Sequence, residues 1–318
     1  VRCRKCGERA AINLRQHRLA LCAEHYLAWF EEQTARTIHK YRMFEPDARI
    51  LVAVSGGKDS LALWEVLLRL GYHADGLYID LGIDKGLHYS THSGEKAADF
   101  AAQHPTAHLH IINIAETYGE SIPQLARRKR QHQRPCALCG LIKRHEMNRI
   151  ALESGYDVLA TGHNLDDEAA TLFGNTLHWQ ASYLKRQAPV LPADGEGLAR
   201  KVKPFCRFYE RDTAAYTLLR GITYIYDECP YAIGATSIQH KLTLTQLESR
   251  APGTKLQFYV SFLKAKEEGL FCREEMPPAD LHPCKECGQP TLAPERCAFC
   301  RLWYAEDQVE AENLQSTS

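Results

Sequence analysis

The stretch from Arg49 to Leu68 restricts what this chain can fold into more than any other. Arg49-Ile50-Leu51-Val52-Ala53-Val54 is almost wholly apolar, Ser55-Gly56-Gly57-Lys58-Asp59-Ser60 interrupts it, and Leu61-Ala62-Leu63-Trp64-Glu65-Val66-Leu67-Leu68 is apolar at helical spacing. The first run reads as a buried strand and the last as a helix, with the six residues between them as the turn. Two adjacent glycines let the backbone come close to a ligand. The helix start offers free N–H groups and the positive end of its dipole, which suits phosphate. Lys58 adds a cation, and Ser55 and Ser60 add hydroxyls. The spacing is not that of a Walker A loop. The plainer alternative is an ordinary Gly-Gly turn with Asp59 in the first turn of a helix.

Apolar runs at 50–54, 74–80, 108–114 and 157–161 read as strands, alternating with helical patterns at 61–69, 93–103 and 141–153. That alternation predicts an α/β fold, a doubly wound parallel sheet covered on both faces. Ligands on such sheets sit at the carboxyl ends of the strands. A further helix is expected over 26–42, where Leu27, Phe30, Thr34, Ile38 and Tyr41 recur at three or four residues. Residues 180–206 read as a loop, followed by helices at 210–219, 239–250 and 256–266 as an extension of the core. The expected layout is a metal module at 1–26, the catalytic domain at 27–270 with its extension from 180, a second metal module at 271–304, and a disordered acidic tail at 305–318.

Two segments have metal-ligand spacing. Cys3 and Cys6 precede Cys22 and His25, and Cys284 and Cys287 precede Cys297 and Cys300. Four N/S ligands each fit tetrahedral, structural zinc, and neither segment holds enough apolar residues to fold without it. Paired free thiols are the bland alternative. The chain has 12 cysteines, and all but Cys206 and Cys272 fall in close pairs or beside a candidate ligand. That usage favours metal over disulfides and a reducing, cytoplasmic setting. No apolar run is long enough to span a bilayer, and the first residues lack the apolar core of a signal peptide. Formal net charge is zero, so binding to nucleic acid must come from local basic clusters. Candidates are 127–134, Lys185-Arg186, and Arg200-Lys201 with Lys203, with Phe205, Phe208 and Tyr209 as stacking or core aromatics.

Two further constellations carry chemistry. Thr161-Gly162-His163-Asn164-Leu165-Asp166-Asp167-Glu168 ends a strand and opens a helix. Its acids suit either a helix cap or magnesium held by Asp166 and Asp167, while Gly162 admits a nucleotide. Cys136 and Cys139 follow a basic run and have Cys229 as a candidate third partner. Three thiolates suit a 4Fe–4S cluster with one open iron. A redox pair, a persulfide carrier and zinc fit the same residues. Lys143, four residues after Cys139, shares a helix face with it or is a solvated lysine. Cys206 and Cys272 read as buried thiols, though Cys206 lies in a basic loop from which it could join sulfur chemistry.

An N-terminal Cys/His knuckle, SGGKDS, Cys-x2-Cys-Gly-Leu-x-Lys-Arg, TGHNLDDEA, Glu-Cys-Pro and a C-terminal Cys ribbon occur here in that order. The combination resembles the TtuA type of tRNA 2-thiouridine synthetase, within the TtcA/TtuA group of PP-loop ATP pyrophosphatases of adenine nucleotide α-hydrolase-like fold. It is more distantly similar to eukaryotic cytosolic wobble-uridine thiolases. The resemblance implies ATP-dependent adenylation of the C2 oxygen of a T-loop 5-methyluridine, then sulfur replacement with release of AMP and pyrophosphate. It implies as partners tRNA and a ubiquitin-like sulfur carrier ending in a thiocarboxylate, and often a homodimer. It implies as ATP contacts Ala53, Ser55, Gly56, Gly57, Lys58, Ser60, Ile79 and Gly162. Cys136, Cys139 and Cys229 would hold the cluster; Asp59, Lys143 and Asp167 would be catalytic, with magnesium. The acidic tail departs from the basic tail frequent in the family. Competing readings are a wobble-uridine thiolase, a cluster-free persulfide thiolase, and a zinc-ribbon RNA-binding protein with a degenerate nucleotide site.

Overall fold

The structure, a computed structural model, describes residues 1–84, 88–128, 135–193, 197–232, 234–271 and 281–304. Cys272, most of the basic run at 129–134 and the tail at 305–318 lie outside these residues. An N-terminal hairpin of β1 (Ile12–Leu14) and β2 (Leu19–Leu21) leads into α1 (Ala23–Lys40). Next come β3 (Arg49–Val54), α2 (Lys58–Arg69), β4 (His73–Asp80), α3 (Tyr89–Gln103) and β5 (Leu109–Asn113). The chain continues through α4 (Ile114–Tyr118), α5 (Ile122–Arg128), α6 (Pro135–Glu153), β6 (Val158–Thr161), α7 (Leu165–Leu177) and α8 (Ala181–Arg186). Short strands β7 (Val190–Leu191) and β8 (Lys201–Val202) precede α9 (Glu210–Arg220), α10 (Thr236–Arg250) and α11 (Thr254–Glu267). A small ribbon of β9 (His282–Pro283), β10 (Pro290–Thr291) and α12 (Cys300–Trp303) follows.

Among the described residues the central sheet has six strands in the order β5-β4-β3-β6-β8-β7, parallel except for β7 against β8. Side chains alternate across β3 because a strand's period is two. Ile50, Val52 and Val54 join a core with Phe30 of α1, Leu63 of α2 and Tyr216 of α9. Leu51 faces the other way, with Leu77, Ile79 and Leu159, against Leu138, Ile142 and Ile150 of α6 and Phe299 of the ribbon. From β3 the chain builds outward to β4 and β5, then returns to add β6 on the opposite side. That reversal opens a crevice between the carboxyl ends of β3 and β6, where Ala53 is registered with Thr161.

Several sequence expectations are corrected. Residues 180–206 are not a plain loop: they hold α8, β7 and β8, which extend the sheet. Two-residue strands carry too little periodicity to be read from sequence. Helix α6 starts at Pro135 rather than at residue 141, so Cys136 and Cys139 lie within its first turns. Proline at the first helical position needs no N–H partner and starts a helix well. Helix α2 starts at Lys58, so Lys58, Asp59 and Ser60 form its first turn.

Two close backbone approaches set the crevice. Gly56 has φ +71° and faces the Ser93 backbone of α3, which an added methyl would overlap. Gly162 lies against the start of α2, where an added methyl would come within 2.8 Å of the Asp59 backbone. Gly56→Ala is therefore expected to cost about 2–4 kcal/mol of stability, from left-handed strain plus overpacking. Gly57→Ala should cost far less, because its φ is −88° and a methyl meets only the Ser55 hydroxyl at 3.4 Å. Urea unfolding of the two variants checks the contrast.

Candidate nucleotide and thiol site

The turn before α2 is tied by its own hydroxyls. Ser55 N donates to Ser60 Oγ at 3.0 Å, Ser60 Oγ donates to Gly57 O at 3.0 Å, and the two serine hydroxyls are 3.2 Å apart. Gly57 caps α2 without a side-chain hydrogen bond, which leaves first-turn N–H groups for an anion. The segment after α9 crosses the turn, where Ile225 N donates to Gly56 O at 2.9 Å. Helix α7 is different: Asn164 and Asp167 close a capping box, so this pair is a cap.

A cavity of about 370 Å³ opens at the crevice. Ala53, Leu77, Ile79 and Met147 give it an apolar wall, and Ser55, Asp59, Ser60, Gly162 and Asp167 line its polar side. Lys143 enters from α6 and Tyr89 from α3. The cavity thus gathers the expected catalytic and ATP-contact residues except Gly56, Gly57 and Lys58, which do not line it. Lys58 is turned aside, with Nζ 3.0 Å from Asp59 Oδ2 and 2.7 Å from Glu210 Oε1. Burial works against its charge, but Asp59 and Glu210 prevail and raise its pKa. Asp167 Oδ1 lies 2.6 Å from Lys241 Nζ, and Lys241 also reaches Glu210 Oε2 at 3.3 Å. Asp59 accepts hydrogen bonds from Thr213 Oγ1 and from Asn164 Nδ2.

Asp166 does not face this cavity, contrary to its expected part in a magnesium pair. It is buried, paired with the equally buried Lys255, and it accepts a hydrogen bond from Glu210 N at 2.8 Å. An ion pair so thoroughly desolvated holds α11 in place. Glu210, Lys241 and Lys255 were missed from sequence because nothing local marks them. The acids of the TGHNLDDE motif were the one signal that basic partners must exist somewhere.

Helix α6 carries the cavity toward the thiols. Cys139 lies one turn before Lys143, and the Lys143 charge acts on it, as do Cys136 and Cys229. Burial raises the Cys139 pKa, and the two neighbouring thiols add to the rise while Lys143 opposes it. Cys136 Sγ donates to Tyr231 O at 3.1 Å, which binds the start of α6 to the segment bearing Cys229. The three sulfurs are not all within 4.8 Å of one another. One zinc ion needs sulfurs about 3.8 Å apart, given Zn–S of ~2.3 Å and tetrahedral angles. The trio is therefore not a preformed single-zinc site, and thiolates are the ligand type of an iron–sulfur cluster.

The two outer groups do have single-ion geometry. The ligand atoms of Cys3, Cys6, Cys22 and His25 lie within 4.8 Å of one another, as do those of Cys284, Cys287, Cys297 and Cys300. Cys6 and Cys22 sulfurs are 3.8 Å apart, as are those of Cys287 and Cys297. Although desolvation opposes it, backbone N–H groups of Cys22, Lys5 and Cys6 lower the Cys3 thiol to about 6. The ribbon braces α6: the His145 and Phe299 rings stack at 3.5 Å, and Gln289 meets both Asn148 Nδ2 and His145 O.

Other sequence candidates are placed elsewhere. Cys206 is fully buried in the core beside Phe205 and Phe208, and burial pushes its thiol up to about 12. Phe205, Phe208 and Tyr209 are core residues around Phe30, not stacking platforms. Arg200 donates to Met43 O and Arg42 O, Lys203 pairs with Glu168 at 2.7 Å, and Arg128 pairs with Glu120 at 2.8 Å. Desolvation, then Lys203 and Arg144, lower Lys201 to about 8. Exposed aromatics include Trp179, 79% exposed, and Tyr183, with Arg186 over its ring at 5.4 Å. Among the described residues no helix is long and apolar enough to cross a membrane.

Comparison with known proteins agrees with this geometry. Residues 2–27 match the N-terminal LIM domain of the 2-thiouridine synthetase TtuA, and residues 27–232 match the PP-loop domain. A tRNA-5-methyluridine(54) 2-sulfurtransferase of Thermus thermophilus is 50% identical over 95% of this chain and 91% of its own. Enzymes of the same name from Thermotoga maritima and Pyrococcus horikoshii are 42% and 41% identical, over 95% and 97% of this chain and 96% of each relative. The U34-tRNA thiolase NcsA of Methanococcus maripaludis, solved with its [4Fe-4S] cluster, shares the fold at a TM-score of 0.79 and 22% identity, over 95% of each chain. The thiol-bearing α6, the PP-loop and the two outer Cys groups therefore belong to a chain of the TtuA family of 2-thiouridine synthetases.

Proposed function

We propose that this chain is a cytoplasmic, ATP-dependent tRNA sulfurtransferase that converts the T-loop 5-methyluridine to its 2-thio form. The carrying observation is that one helix, α6, places Lys143 in the nucleotide cavity and Cys139 among three thiols one turn away. The relatives' shared name supports the substrate. A wobble uridine is the alternative, and the modified nucleoside tells the two apart.

ATP occupies the cavity with its adenosine against Ala53, Ile79 and Gly162. Its phosphates lie at the turn from Ser55 to Ser60, where N–H groups and hydroxyls are preorganised. Phosphate competes with Asp59 and Glu210 for Lys58. The C2 oxygen of the base attacks the α-phosphorus, pyrophosphate leaves, and the N3 proton is lost. Asp59 and Asp167 are the carboxylates at hand to bind magnesium or take that proton. Lys143 stabilises charge on the phosphate as AMP later departs. Cys136, Cys139 and Cys229 would hold a 4Fe–4S cluster, which would supply a binding place for the incoming sulfur. The sulfur comes from a ubiquitin-like carrier with a thiocarboxylate end. Zinc fills both outer groups and holds those modules folded. For tRNA, Trp179 and Tyr183 offer stacking faces beside Lys185 and Arg186.

Anaerobically reconstituted protein given ATP, tRNA and a thiocarboxylated carrier should form AMP and 5-methyl-2-thiouridine, read by nucleoside mass spectrometry. Failure to form tRNA-dependent AMP would leave an RNA-binding module with a degenerate site. Cys136→Ser, Cys139→Ser and Cys229→Ser should each abolish thiolation and lower iron content while ATP still binds. Undiminished thiolation by iron-free protein would favour a persulfide route. Cys284→Ser should remove one of two zinc equivalents by elemental analysis and lower the Tm, because the ribbon braces α6. The double change Trp179→Ala with Tyr183→Ala should weaken tRNA binding by roughly 10- to 100-fold with ATP affinity intact, checked by filter binding.

A further inference from the structure

Tyr89 opens α3 and lines the nucleotide cavity. Its backbone is pinned by the segment that precedes it. Ile83 N donates to Ser90 Oγ at 2.9 Å, Ser90 N donates to Ile83 O at 3.2 Å, and Thr91 N donates to Asp84 Oδ1 at 2.9 Å. The half-buried ring packs on the α6 side of the sheet, with Met147, Cys139 and Cys229 around the same core. Lys143, one helical turn after Cys139, lines the same cavity. Among the described residues the Tyr89 hydroxyl makes no hydrogen bond. The neighbouring Tyr78 is unlike it, with a hydroxyl committed to Ser90 O at 2.6 Å and Ser93 Oγ at 2.7 Å. A pinned aromatic face with a free donor, between the nucleotide wall and the thiols, is where an aromatic base carrying carbonyl groups would be held.

We propose that Tyr89 is the positioning residue for the target pyrimidine, its ring against the base and its hydroxyl donating to a base carbonyl. This rests on the tRNA-thiolation reading above. The base then sits with one side toward the α-phosphate and the other toward Cys139 and Cys229. Tyr89 shares the cavity with the adenosine contacts, so ATP affinity and the base's presentation are measured separately.

The test compares Tyr89→Phe and Tyr89→Ala in the full chain. Measured are ATP affinity without tRNA, affinity of cluster-free protein for a T-arm hairpin RNA, kcat/KM for tRNA-dependent AMP formation, and the visible absorbance of reconstituted protein. Tyr89→Phe should lower kcat/KM for tRNA by roughly tenfold, the worth of one hydrogen bond. Tyr89→Ala should lower it by a further factor on the order of ten and weaken hairpin binding, through the lost stacking face. Absorbance should stay at the wild-type value in both, and any loss of ATP affinity should be much smaller than the loss in kcat/KM for tRNA. Wild-type kcat/KM in both variants overturns the proposal. So does a loss of ATP affinity that matches the loss in kcat/KM, which would assign the ring to adenosine. A loss of absorbance in Tyr89→Phe overturns it too, by assigning the phenol to the thiol site. Absence of AMP formation in the wild type is a separate result, and it sinks the functional reading itself.

Discussion

Helix pitch governs the spacing of the chemistry. An α-helix advances ~5.4 Å per turn, so groups four residues apart stand one above the other. In α6 that rule sets Cys139 and Lys143 one turn apart, and the helix cannot slide because Leu138, Ile142 and Ile150 are buried against the sheet. Lys143 therefore reaches the cavity at the ends of β3 and β6 while Cys139 is held among its partner thiols. Any loosening of that packing would change the offset between Lys143 at the cavity and Cys139 among the thiols.

The ribbon supports the same helix from its far side. The stack of His145 on Phe299 and the contacts of Gln289 place the Cys284 group behind α6. Glu146, fully buried, is the anchor on this side. Desolvation opposes its charge, but His145, Arg149 and Tyr118 outweigh it and hold its carboxyl down to about 2. The four-cysteine ribbon thus braces the helix that carries Cys139 and Lys143, although none of its residues lines the cavity.

Charge pairing organises the opposite wall. Asp166 with Lys255 and Glu168 with Lys203 are desolvated pairs that attach the helical extension to α7. Nearer solvent, Lys58, Asp59, Asp167, Glu210 and Lys241 neutralise one another at the cavity rim. The buried pairs are costly to break and act as struts. The outer ones exchange partners at low cost, which suits a site that must admit a polyanion.

Local patterns are legible in the amino-acid order alone. A strand, a Gly-Gly turn and a helix at Arg49 to Leu68 depend on near neighbours, and so do Cys-x2-Cys pairs, because backbone geometry acts over a few residues. The parallel sheet and both four-ligand groups followed from those patterns. What folding in three dimensions settled were questions between distant residues: that Asp166 meets Lys255, that Cys206 and Phe205 are core, and that Tyr89 and Lys143 line one cavity. Burial and charge pairing are properties of the packed chain. Pairs such as Asp166 and Lys255 become neighbours only when the sheet and its helices close around them, and no period in the sequence encodes that meeting.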